Sequence, residues 1–234
     1  MSDRPARAVG YRTKLLVFVL AALAVLVLLR IAYSALETIS SLKVIEAERD
    51  QWQRPSDVIR ELALKPGNTV VDLGCGSGYF TLKLSAAVGN SGHVIAEDIR
   101  TLPLAFLWVR AAEMSGHNVK VVVGETTNPH LPKRVDAVLV SNTYHEFADA
   151  HSILAHVYAS LVPGGPLVII DRQPNPGMAA PTGEAEHEIS SAQVQNDLRQ
   201  ANFEVIKRDD HFIGRDPYGE NWWLIVARRP GTGG

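Results

Sequence analysis

The sequence predicts an α/β domain built on a mostly parallel sheet and preceded by one apolar N-terminal helix. Three observations predict it. Val70-Val71-Asp72-Leu73 reads as a short buried strand, Gly74-Cys75-Gly76-Ser77-Gly78 as a turn, and Tyr79, Phe80, Leu82 and Leu84 open a helical pattern. Downstream, short apolar strand patterns alternate with helical ones as far as Asp171, the order that builds parallel sheets. Upstream, Leu15 to Leu29 runs without a polar side chain behind Arg4, Arg7, Arg12 and Lys14.

A chain of 234 residues has room for one such domain and an appendage. The formal net charge of −2 supplies no overall basic field, so no nucleic-acid partner is expected. A single cysteine excludes a disulfide framework and a cysteine zinc site. Cys75, inside the glycine turn, reads as a small residue packed beneath it. His151 and His156 are five apart and do not share a helix face. His145 with Glu146 lacks a third ligand, and no metal is expected.

Residues 1–14 form a basic segment. Fifteen helical residues rise only about 22 Å, short of a hydrocarbon core of roughly 30 Å. Extending the run to Leu36 makes it long enough and leaves Arg30 near its end, where the side chain can snorkel to the headgroups. Residues 15–36 therefore read as a single-pass anchor. The alternative is a secretory signal peptide, for which Ala32-Tyr33-Ser34 is a poor small-x-small cleavage site. The basic residues ahead of the run place the N-terminus in the cytoplasm by the positive-inside rule, which narrowly favours an outward-facing domain on the inner membrane. Residues 37–51 carry mixed charges and read as a solvated connecting helix. The globular domain is expected over 52–229, with 230–234 as a tail.

The glycine turn is the first candidate site. Glycines let the backbone approach a ligand without a Cβ clash, and the helix that follows offers unpaired N–H groups at a partly positive end. The dinucleotide fingerprint G-x-G-x-x-G is not met. Counted from Gly74 its third glycine falls on Tyr79, and counted from Gly76 its second falls on Ser77. The spacing present is G-x-G-x-G at Gly74, Gly76 and Gly78, with Asp72 two places ahead.

The remaining elements follow in order. Pro55 to Leu64 is a short amphipathic helix ended by Lys65-Pro66-Gly67-Asn68. His93 to Asp98 is the second strand, and an acid at its end can accept hydrogen bonds from both hydroxyls of a ribose. Strand alternation turns the neighbouring Glu97 to the opposite face. Thr101 to Ser115 is helical, Val119 to Val123 is the third strand, and Gly124-Glu125-Thr126 follows it. Val135 to Ser141 is the fourth strand and delivers Asn142-Thr143-Tyr144-His145-Glu146. Ala148 to Leu161 is a helix with Ile153, Leu154, Val157 and Leu161 on one face. Leu167 to Asp171 is the fifth strand. Gln173 to Glu188 is a long loop of the kind that is often functional or disordered. Ser190 caps a further helix, and Phe203 to Phe212 and Asn221 to Arg228 are the last two strands.

Asp72 before a G-x-G-x-G turn, between a strand and a helix, resembles motif I of the class I S-adenosylmethionine (SAM) dependent methyltransferases. Leu161-Val162-Pro163-Gly164-Gly165 before an apolar strand, and the closing pair of strands, resemble the same family. The resemblance covers roughly Trp52 to Arg229. It is nearest to a group of bacterial members with an apolar N-terminus, through Trp52-Gln53-Arg54-Pro55, Asn142-Thr143-Tyr144-His145 and the late-loop His187. It implies a Rossmann-like, seven-stranded, mostly parallel sheet with a terminal antiparallel strand. It also implies S-adenosyl-L-methionine as cofactor, held by Asp72, Gly74, Gly76, Gly78 and Asp98, with Glu125 near the adenine and Asn142 near the methionine moiety or the acceptor.

In that family the segment after strand four lies beside the transferable methyl group. His145 is then the candidate base, since an unperturbed imidazole titrates near neutrality, and Tyr144 is the candidate to orient the acceptor. The expected activity is methyl transfer to a small or lipid-like acceptor, whose local concentration a membrane anchor would raise. SAM is made in the cytosol, which opposes the charge-based sidedness. Two alternatives stand beside this one. The first is an NAD(P)-dependent oxidoreductase, disfavoured by Tyr79. The second is a non-catalytic binding protein that keeps the methyltransferase fold.

Overall fold

The computed structural model describes residues 6–113, 117–174 and 188–231. His187, part of the resemblance above, lies outside the described residues. The chain divides into two compact units, Met1–Ala47 and Glu48–Gly234.

The first unit is one stretch of helix α1, whose full extent is Ala6–Trp52. No glycine or proline occurs between residues 11 and 54, so nothing breaks the helix where polar residues begin after Leu36. Thr38 and Ser41 bond their hydroxyls back to the carbonyls of Ser34 and Glu37, at 2.9 and 3.0 Å, and so do not compete with the helix. Leu15, Phe18, Leu23, Leu28 and Leu36 are each at least half exposed. The helix is long and apolar enough, by length and composition, to cross a bilayer.

The second unit opens with the last turn of α1. Asp50 accepts a 2.7 Å hydrogen bond from the Tyr79 hydroxyl and lies 2.8 Å from Lys83 Nζ. The Arg49 guanidinium stacks over the Tyr79 ring. The compact unit thus begins at Glu48, ahead of the expected Trp52. A protein starting at Ile45 is expected to fold and bind SAM. One starting at Gln53 loses the Asp50 contacts, on the order of 1 kcal/mol for a half-exposed carboxylate, and should melt about 2–4 °C lower. Equal melting temperatures would show that Asp50 contributes nothing.

Pro55 excludes αR from Arg54, which takes a φ of +54° and is held by Asp57 and the Phe212 carbonyl, both at 2.7 Å. Helix α2 (Pro55–Glu61) follows. Then come β1 (Thr69–Leu73), α3 (Tyr79–Val88), β2 (His93–Asp98), α4 (Thr101–Glu113), β3 (Val119–Val123), β4 (Ala137–Ser141), α5 (Ala150–Ser160), β5 (Pro166–Arg172), α6 (Ser191–Gln200), β6 (Glu204–Ile213) and β7 (Trp222–Arg228).

The seven strands form one sheet in the order β3-β2-β1-β4-β5-β7-β6. β1 to β5 are parallel, and β7 is antiparallel to both β5 and β6. Helix α5 starts two residues later than expected because Asp149 caps it, accepting from Ser152 N at 3.0 Å.

Alternation along the strands divides the core. Val71, Leu73, Val138 and Val140 face one side and pack with Ile153, Leu154 and Val157 of α5 and Val194 and Leu198 of α6. Val70, Ala137 and Leu139 face the other and meet Phe80, Leu84 and Val88 of α3. All these strand side chains are almost wholly buried. The register sets Leu73 beside Glu97 and Val140, so β1, β2 and β4 end nearly flush at one rim of the sheet.

Candidate active site

The strand order reverses between β1 and β4, and a crevice opens beyond their carboxyl ends at such a switch point. The glycine turn leaves β1 there. Gly74 and Gly76 have φ values of +72° and +54°, a region that residues with a Cβ rarely adopt. Their surroundings separate their roles. A Cβ on Gly74 would lie 2.1 Å from Thr143 Cγ2, whereas one on Gly76 would meet nothing within 4 Å. Gly74 is a close-packed contact with the segment leaving β4, where the Thr143 hydroxyl also donates to the Gly74 carbonyl at 3.2 Å. Gly76 borders open space. Gly78 is the N-cap of α3.

A cleft of about 490 Å³, measured out to its mouth, lies over this rim. Glu97, Asp98 and Ile99 form one wall, and Thr143, Glu146 and Phe147 face them. Glu125, Thr126 and Pro129 close one end. Asp98 Oδ2 accepts from Gly76 N and Oδ1 from Arg100 N, each at 2.8 Å. Its carboxylate is therefore already oriented over the glycine turn. Glu125 reaches the cleft, but its carboxylate turns outward to His130 Nε2 at 3.2 Å.

Asp72 lies beneath the turn, buried, with Oδ2 accepting from the Thr81 hydroxyl at 2.5 Å. Burial pushes its carboxyl up to about 6, against the pull of the Thr81 hydrogen bond and with the Asp98 charge adding to the rise. Burial likewise raises the Cys75 thiol, which stays protonated under the turn. Asn142 takes a φ of +54°. Its carboxamide oxygen is buried and has no hydrogen-bond partner among the described residues.

The segment after β4 divides its two catalytic candidates. Tyr144 points into the core, and its hydroxyl donates to Asp197 of α6 at 3.1 Å. Burial, and then the Asp197 charge, push the Tyr144 hydroxyl well above its ordinary value. The structure does not bring that hydroxyl to the cleft. His145 is held by a residue the sequence reading did not select. Asp171, at the end of β5, lies 2.8 Å from His145 Nδ1 through Oδ1 and accepts the His145 backbone N–H through Oδ2 at 3.2 Å. Both side chains are fully enclosed. On the other side of the ring, Nε2 lies 3.8 Å from Glu146 Oε1, and Glu146 belongs to the cleft wall. Asp171 and Ile99 carry no motif, and Thr143 and Glu146 lie in the segment after β4 without an assigned role; only the meeting of strand ends brings the four together.

Glu97 was expected on the face opposite Asp98, and it is. It still reaches the cleft, because the cleft lies past the strand ends and takes side chains from both faces. Its Oε2 is 3.4 Å from Gly74 N. Burial raises the Glu97 carboxyl to about 7, the Gly74 N–H opposes this, and the Asp98 and Asp72 charges add to it. A carboxyl whose folded pKa exceeds its unfolded one binds extra protons in the folded state. The stability it contributes is complete below about pH 4 and is lost as pH rises through about 7. The cofactor-free protein should therefore melt higher at pH 5.5 than at pH 8. Glu97→Gln should flatten that slope and raise the melting temperature at pH 8. An identical slope in the variant would place the titration elsewhere.

Among the described residues, no group of three His, Cys, Asp or Glu side chains is placed to hold a metal ion.

Comparison with known proteins agrees with this geometry. The model of the ubiE/COQ5 methyltransferase family matches residues 25–179. The chain is 24% identical over 140 residues to the demethylmenaquinone methyltransferase of Oceanobacillus iheyensis, covering 59% of this chain and 58% of that protein. It is 30% identical over 115 residues to the Staphylococcus saprophyticus demethylmenaquinone methyltransferase, covering 49% of this chain and 48% of that one. The chain thus spans about half the length of the curated relatives it matches. Among solved structures, a SAM-dependent methyltransferase from Aquifex aeolicus superposes with a TM-score of 0.67 at 25% identity, covering 81% of this chain and 97% of that one. The geranyl diphosphate C-methyltransferase of Streptomyces coelicolor, in complex with S-adenosylhomocysteine, shares the fold with a TM-score of 0.64 at 18% identity, over 76% of this chain and 75% of that one.

Proposed function

We infer, because this chain belongs to the ubiE/COQ5 methyltransferase family, that it transfers a methyl group from SAM to a lipid-like acceptor at a membrane. SAM is the cofactor, and the residues present fit it. Gly76 leaves an open cradle over the turn, Asp98 is aimed across it, and the buried Asn142 oxygen lacks a partner. The open space at Gly76 beside a pre-aimed Asp98 is the observation that carries this reading.

When bound, SAM supplies a sulfonium-activated methyl group. Asp98 would accept hydrogen bonds from its ribose hydroxyls. The Gly76 backbone would border it, and Ile99 and Phe147 give the cleft apolar walls that exclude water. Asn142 supplies a hydrogen-bond acceptor after β4. The acceptor loses a proton as its bond to carbon forms, and His145 is the base that takes it, with Glu146 between its Nε2 and the cleft. Asp171 fixes the imidazole by its Nδ1 side, which leaves Nε2 as the working nitrogen. Tyr144, tied to Asp197, holds this segment in place from below.

The apolar part of α1 is a single-pass anchor, and it raises the local concentration of a lipid-soluble acceptor. The demethylmenaquinone methyltransferases among its relatives are named for a lipid quinone, in keeping with an acceptor of that class. The basic residues ahead of the apolar run favour a domain on the outer side, and the supply of SAM favours the cytoplasmic side. Fusion of alkaline phosphatase, or of a fluorescent protein that matures only in the cytoplasm, after Arg229 decides between them.

The activity is tested by incubating the full chain in lipid nanodiscs with methyl-labelled SAM and a bacterial lipid extract. Label is expected in the organic phase. Label confined to water-soluble products would overturn the lipid-like acceptor. SAM binding without any transfer would leave a binding protein that keeps the fold.

A further inference from the structure

Helix α4 presents an outward face unlike that of any ordinary solvated helix in this domain. Its inner face is conventional, with Leu104, Leu107 and Ala111 buried. Its one cation, Arg110, is also buried and donates to the Ser77 carbonyl at 2.6 Å, behind the glycine turn. The exposed residues after Thr101 are Leu102, Ala105, Trp108, Val109 and Ala112, and no charged side chain appears among them before Glu113. Leu102 and Trp108 are each 67% exposed. On α6 of the same domain the exposed positions are Ala192, Gln193, Asn196, Arg199 and Gln200, the polar face that a water-facing helix normally carries. A helix that is apolar on both faces has a second apolar surrounding to meet.

The patch does not end with the helix. Ile99, separated from α4 by the exposed Arg100, is 51% exposed and also forms part of the cleft wall. Val123, which pairs with Asp98 across the β2–β3 ladder, is 52% exposed. Exposed apolar residues therefore lie both on the outer face of α4 and at the mouth of the cleft, with Arg100, 3.3 Å from Asp98, between them in the chain.

We propose that the outer face of α4 lies in the interface of a lipid bilayer, with Leu102, Trp108 and Val109 among the headgroups and upper acyl chains. Through Ile99 this face forms the ramp by which a lipid-soluble acceptor reaches the cleft. The proposal rests on the reading of α1 as a bilayer anchor, which keeps the domain within reach of that surface. A bilayer is the occupant because the chain already carries a 0%-buried apolar helix long enough to cross one. A tryptophan on an uncharged helical face suits the headgroup level. The patch also opens into the site where a lipid-like acceptor must enter.

Trp108 is the probe. Trp222 and Trp223 are buried, and the apolar stretch of α1 contains no tryptophan. The emission lost in Trp108→Phe therefore reports on this residue. The full chain is placed in phosphatidylcholine nanodiscs with and without lipids brominated on the acyl chain. Brominated lipid should remove at least half of the emission that separates wild type from Trp108→Phe. If that emission is unchanged and acrylamide quenches it, the face is in water and the proposal fails. If it is unchanged and also shielded from acrylamide, a second copy or a protein partner covers the face and the proposal fails equally. The anchor is scored separately, by retention of the full chain in the membrane pellet after alkaline carbonate. Retention with unquenched Trp108 overturns the docking face alone, and release into the supernatant overturns the anchor.

Discussion

His145→Ala is expected to lower the turnover number by about 10²–10⁴-fold, the usual range for losing a general base, while SAM affinity stays within about twofold of wild type. The asymmetry follows from geometry. His145 lies on the segment after β4, held from β5, and not on the glycine turn after β1. Its ring is fixed between Asp171 at 2.8 Å on Nδ1 and Glu146 at 3.8 Å on Nε2. Removing the imidazole leaves Asp171 as a buried carboxylate, so some loss of stability accompanies the variant. SAM affinity measured at a temperature well below melting serves as the check on folding. Asp171→Asn keeps the shape of the pair and removes its charge. It should lower turnover less than His145→Ala, since the ring keeps a hydrogen-bond partner on its Nδ1 side. Equal losses of turnover and of SAM affinity in His145→Ala, with wild-type turnover in Asp171→Asn, would make the pair a structural clamp on the segment after β4.

Asp98→Ala should weaken SAM binding by about 100-fold or more. Hydrogen bonds to a charged acceptor are worth roughly 1.5–3 kcal/mol each, and every 1.4 kcal/mol is about tenfold in affinity. Two ribose hydroxyls are at stake, and the carboxylate has lone pairs left to accept them while it keeps its 2.8 Å bonds from Gly76 N and Arg100 N. Asp98→Asn keeps an acceptor without the charge and should fall between the two proteins. Isothermal calorimetry on the full chain in detergent gives the affinities. Wild-type affinity in a folded Asp98→Ala protein would transfer the ribose to Glu97, the other acid of the same wall.

The closed ends of the problem were legible for a physical reason. Glycines where a backbone must bend through positive φ, an acid at a strand end and an unbroken apolar run are local features, and local features survive in a linear string. Thus the three glycines at positive φ, the acid at the end of β2, the succession of strands along the chain and the apolar run of α1 are all legible in the sequence. Boundaries were displaced where a side chain far away in sequence intervened. Asp50 reaching Tyr79 pulled the start of the compact unit back to Glu48, and the capping carboxylate of Asp149 delayed α5.

The sequence by itself determined the fold class, the glycine turn after β1 and the presence of a histidine after β4. Only the tertiary structure decided how these residues share their work. It separated Gly74, pressed against Thr143, from Gly76, which borders open space. It sent Tyr144 into the core and gave His145 a partner from 26 positions away. It also brought Glu97 into a cleft that strand alternation alone would have denied it. Each of these depends on strand ends that are distant in sequence lying flush at one rim. That register is set by the packing of the whole sheet between its helices, and no residue's immediate neighbours encode it.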